Sequence, residues 1–329
     1  MPKYVTPDVS VILVSYNTRD MLRDCLKFVY AQTGVQFEVL VADNASSDGS
    51  PDMVSREFTE THVIRSATNL GFAAANNRAL RLARGRYVVL LNTDAFLRPG
   101  DLAIAVGKMN DNPKIGLAGA RLVGADGSWQ PSARSFPSIL NDLLSLTGMS
   151  AKYARSRFFG RADRTWADPL EPLPVDWVPG AFAIIRREVL NEVGHFDERF
   201  FLYYEEVDLC RRIKAAGWQI WYWPELVVVH IGGESSRQVR RLSMSSSGAQ
   251  LTLWRMRSAL LYYRKHHPLK AWLAMQAESG WHRLRLLCNR LRKSSEAISK
   301  CEESLATVLL YRQAWNETRG GRTSPARPW

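Results

Sequence analysis

Apolar residues recur along the first 230 positions in two alternating rhythms. Val9–Ser15 is a short β-branched run ending at Tyr16-Asn17, and a helical period follows from about Arg19 to Gln32. In that helix Met21, Leu22, Cys25, Leu26 and Val29 share one face. Phe37–Ala42 is a second apolar run and gives way to the polar stretch DNASSDGS. Ser50-Pro51 opens another helix, with Pro suited to the first turn. His62–Arg65, an Ala-rich helix over Ala73–Ala83 closed by Gly85, and Tyr87–Leu91 continue the alternation. Short apolar strands alternating with helices predict an α/β fold, a Rossmann-like and mostly parallel sheet covered on both faces. Ligands of such sheets gather outside the carboxyl ends of the strands. Polar clusters stand at those ends here: Tyr16-Asn17, Asp43-Asn44, Asn69 and Asn92–Asp94.

From Asp126 to Pro174 the pattern weakens, and Pro131, Pro137, Pro169, Pro172 and Pro174 predict a mobile loop over the site. WVPGAFAIIRREVL then reads as a strand leading into a helix. FFLYYEEVDLCRRIKAAGW reads as a loop and an amphipathic helix with Gly217 as its C-cap. WQIWYWPELVVVH holds two further strands and ends at His230; beyond it lie GGESS and a long helical, basic region.

Charge sharpens this division. Residues 1–230 carry 26 Lys and Arg against 26 Asp and Glu, whereas residues 231–329 carry 18 against 6. The whole formal excess of +12 therefore sits in the tail, which predicts a negatively charged partner. Cys25, Cys210, Cys288 and Cys301 are widely spaced, which excludes a C-x-x-C zinc or redox motif and fits a reducing compartment. The N-terminal apolar run lacks the features of a signal peptide, and no apolar run is long enough to span a membrane.

Several polar residues invite a chemical reading beside a plainer one. Asp94, straight after a buried strand, can hold a divalent metal that neutralises a leaving diphosphate, or simply cap its turn. His230 ends a strand before Gly232-Gly233 and suits Mn²⁺ or Mg²⁺, or a backbone carbonyl. Glu205 and Glu206, with Asp208, open a helix whose dipole favours acids; a carboxylate there can also accept a proton from a hydroxyl. Asp208, a turn further in, reads as structural. Asp43, Asn44, Ser46, Ser47 and Asp48 offer acceptors for a ribose and a base edge, or form an ordinary polar turn. Gly71 marks a point where backbone can pass close to a ligand. No dinucleotide or P-loop glycine motif occurs.

In order, VSVILVSYN, DNASSDGS, NLGFAAANN, LLNTDA, WVPGAFAIIRREV, FDERFFLYYEEVDLCRR and LVVVHIGG resemble the family 2 glycosyltransferases of the GT-A fold, in their bacterial rhamnosyltransferase-like branch. The resemblance runs from Val9 to about Gly233. It implies an inverting transfer from a dTDP- or UDP-linked sugar, dTDP-rhamnose by preference, to a hydroxyl of a saccharide or polyprenol-linked acceptor in cell-surface polysaccharide synthesis. Tyr16, Asn17, Asp43 and Asn44 would hold the nucleotide, with Asn69, Gly71, Phe72 and Asn76 lining the same pocket. Asn92, Thr93 and Asp94 would meet the donor, Asp94 binding Mg²⁺ or Mn²⁺ together with His230. The family's first D-x-D acid is Asn92 here, so only Asp94 is charged. Asp176, Trp177 and Gly180 would shape the sugar and acceptor site. The base would be Glu206, in the place of the family's usual Asp, with Glu205 as the alternative.

These readings give a catalytic domain over residues 1–242, nucleotide-binding to about 120 and acceptor-binding from about 121. A helical basic extension over 243–329 follows, its last ten residues disordered. In the extension Leu251, Trp254, Leu261 and Tyr262 suggest a helix packed on the domain. Leu284, Leu287 and Leu291 alternate with Arg283, Arg285, Arg290, Arg292 and Lys293, and Trp272 and Trp281 add aromatic groups. That segment either lies on an anionic membrane, on the inner face of the cytoplasmic membrane for a cytoplasmic enzyme, or packs on the domain with a solvated basic face. The tail can also supply a homodimer contact. Nucleic acid is not an expected partner. The competing readings are a sugar nucleotidyltransferase, a non-catalytic nucleic-acid- or membrane-binding protein, and an inactive relative serving as a scaffold.

Overall fold

The computed structural model describes residues 6–232, 249–290, 292 and 294–325. Gly233, Leu291 and Lys293, and residues 326–329, lie outside them. The first half alternates as its sequence pattern predicts. β1 (Val9–Ser15), α1 (Arg19–Tyr30), β2 (Phe37–Asp43), α2 (Ser50–Glu57), β3 (His62–Arg65), α3 (Phe72–Leu80) and β4 (Tyr87–Asn92) follow one another. The chain then forms β5 (Ala95–Phe96), α4 (Asp101–Asp111), β6 (Ile115–Val123), β7 (Trp129–Gln130), α5 (Ile139–Leu146), α6 (Met149–Lys152) and β8 (Leu173–Pro174). It continues through β9 (Phe182–Arg186), α7 (Arg187–Val193), α8 (Glu205–Ala215) and β10 (Gln219–His230). Three helices close the described chain: α9 (Ala249–His266), α10 (Lys270–Arg290) and α11 (Ser295–Glu317).

One sheet in the order β3-β2-β1-β4-β9-β6-β10-β5 organises the molecule, with β7 on β6 and β8 on β10. The strands β3, β2, β1 and β4 run parallel, and β9 runs antiparallel to both neighbours. Side chains two apart share a face, so each strand feeds two cores. Val9, Val11, Leu13, Val39, Val41 and Val89 meet Leu22, Leu26, Met53 and Leu102 from α1, α2 and α4. Ile12, Leu40, Val88 and Leu90 meet Ala75, Ala79, Val189 and Leu209 from α3, α7 and α8. Each fully buried Leu or Val contributes about 1.5–3 kcal/mol, which is what makes the alternation decisive.

Two expectations are corrected. No residue of the Pro-rich stretch after Asp126 lines the cavity described below; the stretch carries α5, α6 and a short 3-10 turn between irregular segments, and the Tyr263 hydroxyl donates to Asp142 on α5. WQIWYWPELVVVH is one strand, not two. Pro224 has no N–H to give the ladder, so the pairing with β6 shifts register between Trp223 and Val227 and then resumes. The extension also folds further than its composition predicts. Gly320 and Gly321, placed in the expected disordered end, are buried, and Arg264 Nε donates to the Gly320 carbonyl at 2.9 Å.

Candidate active site

A cavity of about 380 Å³ opens at the carboxyl ends of β1, β2 and β4. Tyr16, Asn44, Asn69, Gly71 and Phe72 line one side, and Asn92, Thr93 and Asp94 line the floor after β4. Glu205, Glu206, Gly180 and His230 line it as well. Twelve residues singled out in the sequence thus converge from seven separate segments.

Asn44 holds the turn before α3. Its Nδ2 donates to Asn69 Oδ1 at 2.8 Å and its Oδ1 accepts from Leu70 N at 2.8 Å. Gly71 stands at φ +84°, and a Cβ there would meet the Phe201 carbonyl oxygen at 2.4 Å. The backbone that passes close to Gly71 is therefore the chain's own, and Phe72 N donates to that carbonyl at 2.8 Å. Gly71→Ala is expected to cost at least about 2 kcal/mol, from left-handed backbone and forced displacement together. A melting temperature equal to that of the unmodified protein would show that the loop around Phe201 gives way freely.

Five of the expected residues stand behind the wall and do not line the cavity. Asn17 accepts from Ser47 N at 2.7 Å, and its own N–H donates to Ser46 Oγ at 2.9 Å. Asp43 accepts from Ser46 N at 3.1 Å through Oδ2, while Oδ1 is buried without a hydrogen-bond partner. Burial pushes the Asp43 carboxyl up. Asn76 donates to the Phe72 carbonyl within its own helix. Asp176 accepts from Lys214 Nζ at 2.6 Å and from Phe136 N at 3.0 Å, and Trp177 Nε1 donates to the Ser135 carbonyl at 2.9 Å. Both pin residues 134–136 to the segment before β9.

The acidic pair sits at the start of α8 behind two strained residues. Tyr203 and Tyr204 both adopt φ +69°, a conformation costing on the order of 1–3 kcal/mol apiece and concentrated at functional sites. Oε2 of Glu205 and Oε2 of Glu206 are both buried with no hydrogen-bond partner. Burial, and then the Glu206 charge, hold the Glu205 carboxyl well above the usual range. Burial also raises Glu206, but backbone N–H groups and the Arg134 charge oppose it. Both neighbouring carboxyls are thus pushed up, Glu205 the further of the two, which leaves Glu206 the readier of the pair to ionise. Asp208 is different. Burial would raise it, yet His266, Lys265 and Arg212 hold it below the usual carboxylate range.

Asp94 and His230 are brought together by strand pairing. His230 lies opposite Ala95 across β10 and β5, and Ile231 N donates to the Asp94 carbonyl. His230 Nε2 then stands 3.5 Å from Asp94 Oδ1. Gln130 sets the imidazole. Its Nε2 donates to the His230 carbonyl at 2.8 Å, which turns its Oε1 toward His230 Nδ1 at 2.9 Å. That oxygen only accepts, so Nδ1 carries a proton, and Nε2 is the ring nitrogen turned toward the Asp94 carboxylate. Among the described residues no group of three or more His, Cys, Asp and Glu gathers as a metal cluster.

The extension completes the cavity. Leu251 and Trp254 of α9 line it, and the Trp254 ring sits 4.8 Å from that of Phe201. Ser258 Oγ donates to the Leu202 carbonyl at 2.8 Å. Lys265 Nζ bridges Asp208 at 2.7 Å and Asp197 at 2.8 Å, gripping both ends of the segment that carries the glutamates. For α9, packing on the domain is what the structure shows. Gln130, Phe201, Leu202, Tyr203 and Trp254 carry no local signal for a site, since each acquires its role from a contact far away in sequence.

Residues 10–194 match the family model described as Glycosyl transferase family 2. The chain belongs to glycosyl transferase family 2. It is 31% identical over 242 residues to the N-acetylglucosaminyl-diphospho-decaprenol L-rhamnosyltransferase of Mycobacterium tuberculosis, a match spanning 69% of this chain and 76% of that one. Among solved structures it is similar to the mannosyltransferase PcManGT from Pyrobaculum calidifontis in complex with GDP-Man and Mn²⁺, at TM-score 0.51 and 21% identity over 97% of this chain and 85% of that one. It is also similar to GalNAc-T7 with UDP, GalNAc and Mn²⁺, at TM-score 0.57 and 15% identity over 96% of this chain and 57% of that one. The fold is therefore GT-A, with a mostly parallel central sheet and a helical C-terminal region, and the protein is a glycosyltransferase. That result sets aside the nucleotidyltransferase and non-enzymatic readings.

Proposed function

We propose that this family 2 glycosyltransferase moves L-rhamnose from dTDP-rhamnose, with inversion, onto a hydroxyl of a lipid-linked saccharide. One observation carries the reading: a single cavity joins the nucleotide-side residues at the strand ends, the facing pair Asp94–His230 and the buried pair Glu205–Glu206. The choice of donor and acceptor rests on the rhamnosyltransferase relative and its diphospho-decaprenol acceptor.

In the transfer Glu206 takes the proton of the acceptor hydroxyl as that oxygen attacks the anomeric carbon. The bond from that carbon to the diphosphate oxygen breaks, and its electron pair leaves with the nucleotide. Glu205, kept neutral, stands beside the base without competing for the proton. Tyr16, Asn44 and Asn69 hold the nucleoside side of the cavity.

A divalent cation fits between Asp94 and His230. Asp94 Oδ1 and His230 Nε2, 3.5 Å apart, are a carboxylate oxygen and an imidazole nitrogen of the kind that hold Mg²⁺ or Mn²⁺. These two side chains would hold the ion, and a small set of protein ligands suits Mg²⁺ or Mn²⁺. When bound, the metal neutralises charge building on the leaving diphosphate.

A thermal-shift screen of nucleoside diphosphates with and without Mg²⁺ or Mn²⁺ tests the donor site. Ligand at ~100 times its dissociation constant stabilises by about 2.7 kcal/mol. A metal-dependent rise with dTDP exceeding that with UDP and GDP is the expected result. Equal shifts for all bases would remove the dTDP assignment, and no shift with any would remove the cavity as a donor site.

A further inference from the structure

Helix α10 runs for 21 residues yet buries only Ala271, Ser279 and His282. Trp272, Leu273, Leu284 and Leu287 are all exposed, Leu287 to 66%. At about 100° per residue, these four fall with Arg283 and Arg290 within an arc of roughly 120°, turned away from the buried side. A helix face this apolar, left uncovered beside basic residues, marks a contact site and not a solvated surface. No helix among the described residues is long and apolar enough to cross a membrane.

We propose that this face of α10 docks on an anionic bilayer, with Trp272 and the leucines entering the headgroup boundary and Arg283 and Arg290 meeting lipid phosphates. Charge selects the occupant. Residues 231–329 hold 18 Lys and Arg against 6 Asp and Glu, while the rest of the chain is balanced, so the basic excess lies in the region that bears the apolar face. A second copy would bring the same arginines against each other in a two-fold contact. An anionic lipid surface pairs them instead and accepts the aromatic and leucine side chains. This face lies outside the cavity, so docking stands apart from the donor and acceptor proposed above.

Flotation of the full chain with vesicles of phosphatidylcholine, with and without phosphatidylglycerol, tests it. Partition into the anionic vesicles is expected to exceed the neutral ones by about tenfold or more and to fall as salt rises. Leu284→Glu with Leu287→Glu should bring it down to the neutral level. Arg283→Gln with Arg290→Gln, which leaves the apolar side chains in place, should lower it by roughly thirtyfold. All four positions are exposed, so the melting temperature and the nucleotide-induced shift should hold in both variants, keeping this test separate from that of the donor site. Equal binding to both vesicle types, or partition untouched by either pair, overturns the proposal. So does a dimer in solution that the leucine variant dissociates, because the face would then join two copies of the chain.

Discussion

Glu206→Gln should lower turnover by roughly 10²–10⁴-fold, while the donor dissociation constant changes by less than about threefold. The amide keeps the shape of the side chain and removes its capacity to take a proton, so a loss confined to turnover identifies the base. Loss of donor binding as well would make Glu206 a wall residue. Glu205→Gln is the internal contrast. Glu205 is held toward the neutral acid by burial and by the Glu206 charge, so an amide mimics its resting state and most activity should survive. The pH profile follows with a defined sign. A base must be ionised, and burial raises Glu206, so the acid-side fall in turnover should lie above the usual glutamate range of about 4.3. Stability runs the other way for Glu205. A carboxyl whose folded value is raised lends stability that is complete below its unfolded value and lost as pH rises through the folded one. The melting temperature of Glu205→Gln should therefore gain on the unmodified protein as pH rises above the usual glutamate range of about 4.3.

Asp94→Ala should weaken metal-dependent nucleotide binding by about 100-fold or more, since partners one shell further out are already worth roughly 10–100-fold at metal sites. Asp94 faces His230 in the cavity, and replacing it leaves an imidazole whose orientation Gln130 still enforces. Binding of the nucleotide without metal should change little, because Tyr16, Asn44 and Asn69 are untouched. The measurement is a titration of dTDP at fixed protein with Mg²⁺, with Mn²⁺ and with chelator. If the metal-dependent increment persists in the variant, Asp94 is no ligand and its contact with His230 is structural.

The extension gives the catalytic segment a mechanical frame that these substitutions leave intact. Two tyrosines at φ +69° store strain immediately ahead of the glutamates. The Lys265 bridge to Asp197 and Asp208 and the Ser258 bond to Leu202 hold that segment from outside. Chain beyond the family match is thereby part of the site: Trp254 and Leu251 are as much cavity wall as Tyr16 is.

What the sequence by itself determined is whatever local pattern encodes. Short continuous apolar runs made β1, β2 and β4, the 3.6 period made α1 and α3, and the polar residues ending each strand marked where the cavity would open. Asp94, His230, Glu205 and Glu206 were legible because each ends or begins an element at that rim. Between Phe96 and Gly124 the pattern assigned no element, and the structure places α4 and β6 there. Gly116, Gly119 and Arg121 interrupt the apolar residues of β6, so it lacks the continuous β-branched run that marks β1 and β4. Gly85 was read as a helix stop, yet a Cβ there would meet Ser10 N at 2.4 Å. Only the tertiary structure decided that, along with the Phe201 carbonyl over Gly71, the Gln130 hold on His230 and the closure of the cavity by Trp254. Each is a contact between residues at least fifty positions apart and depends on strand order and helix docking that no local period records.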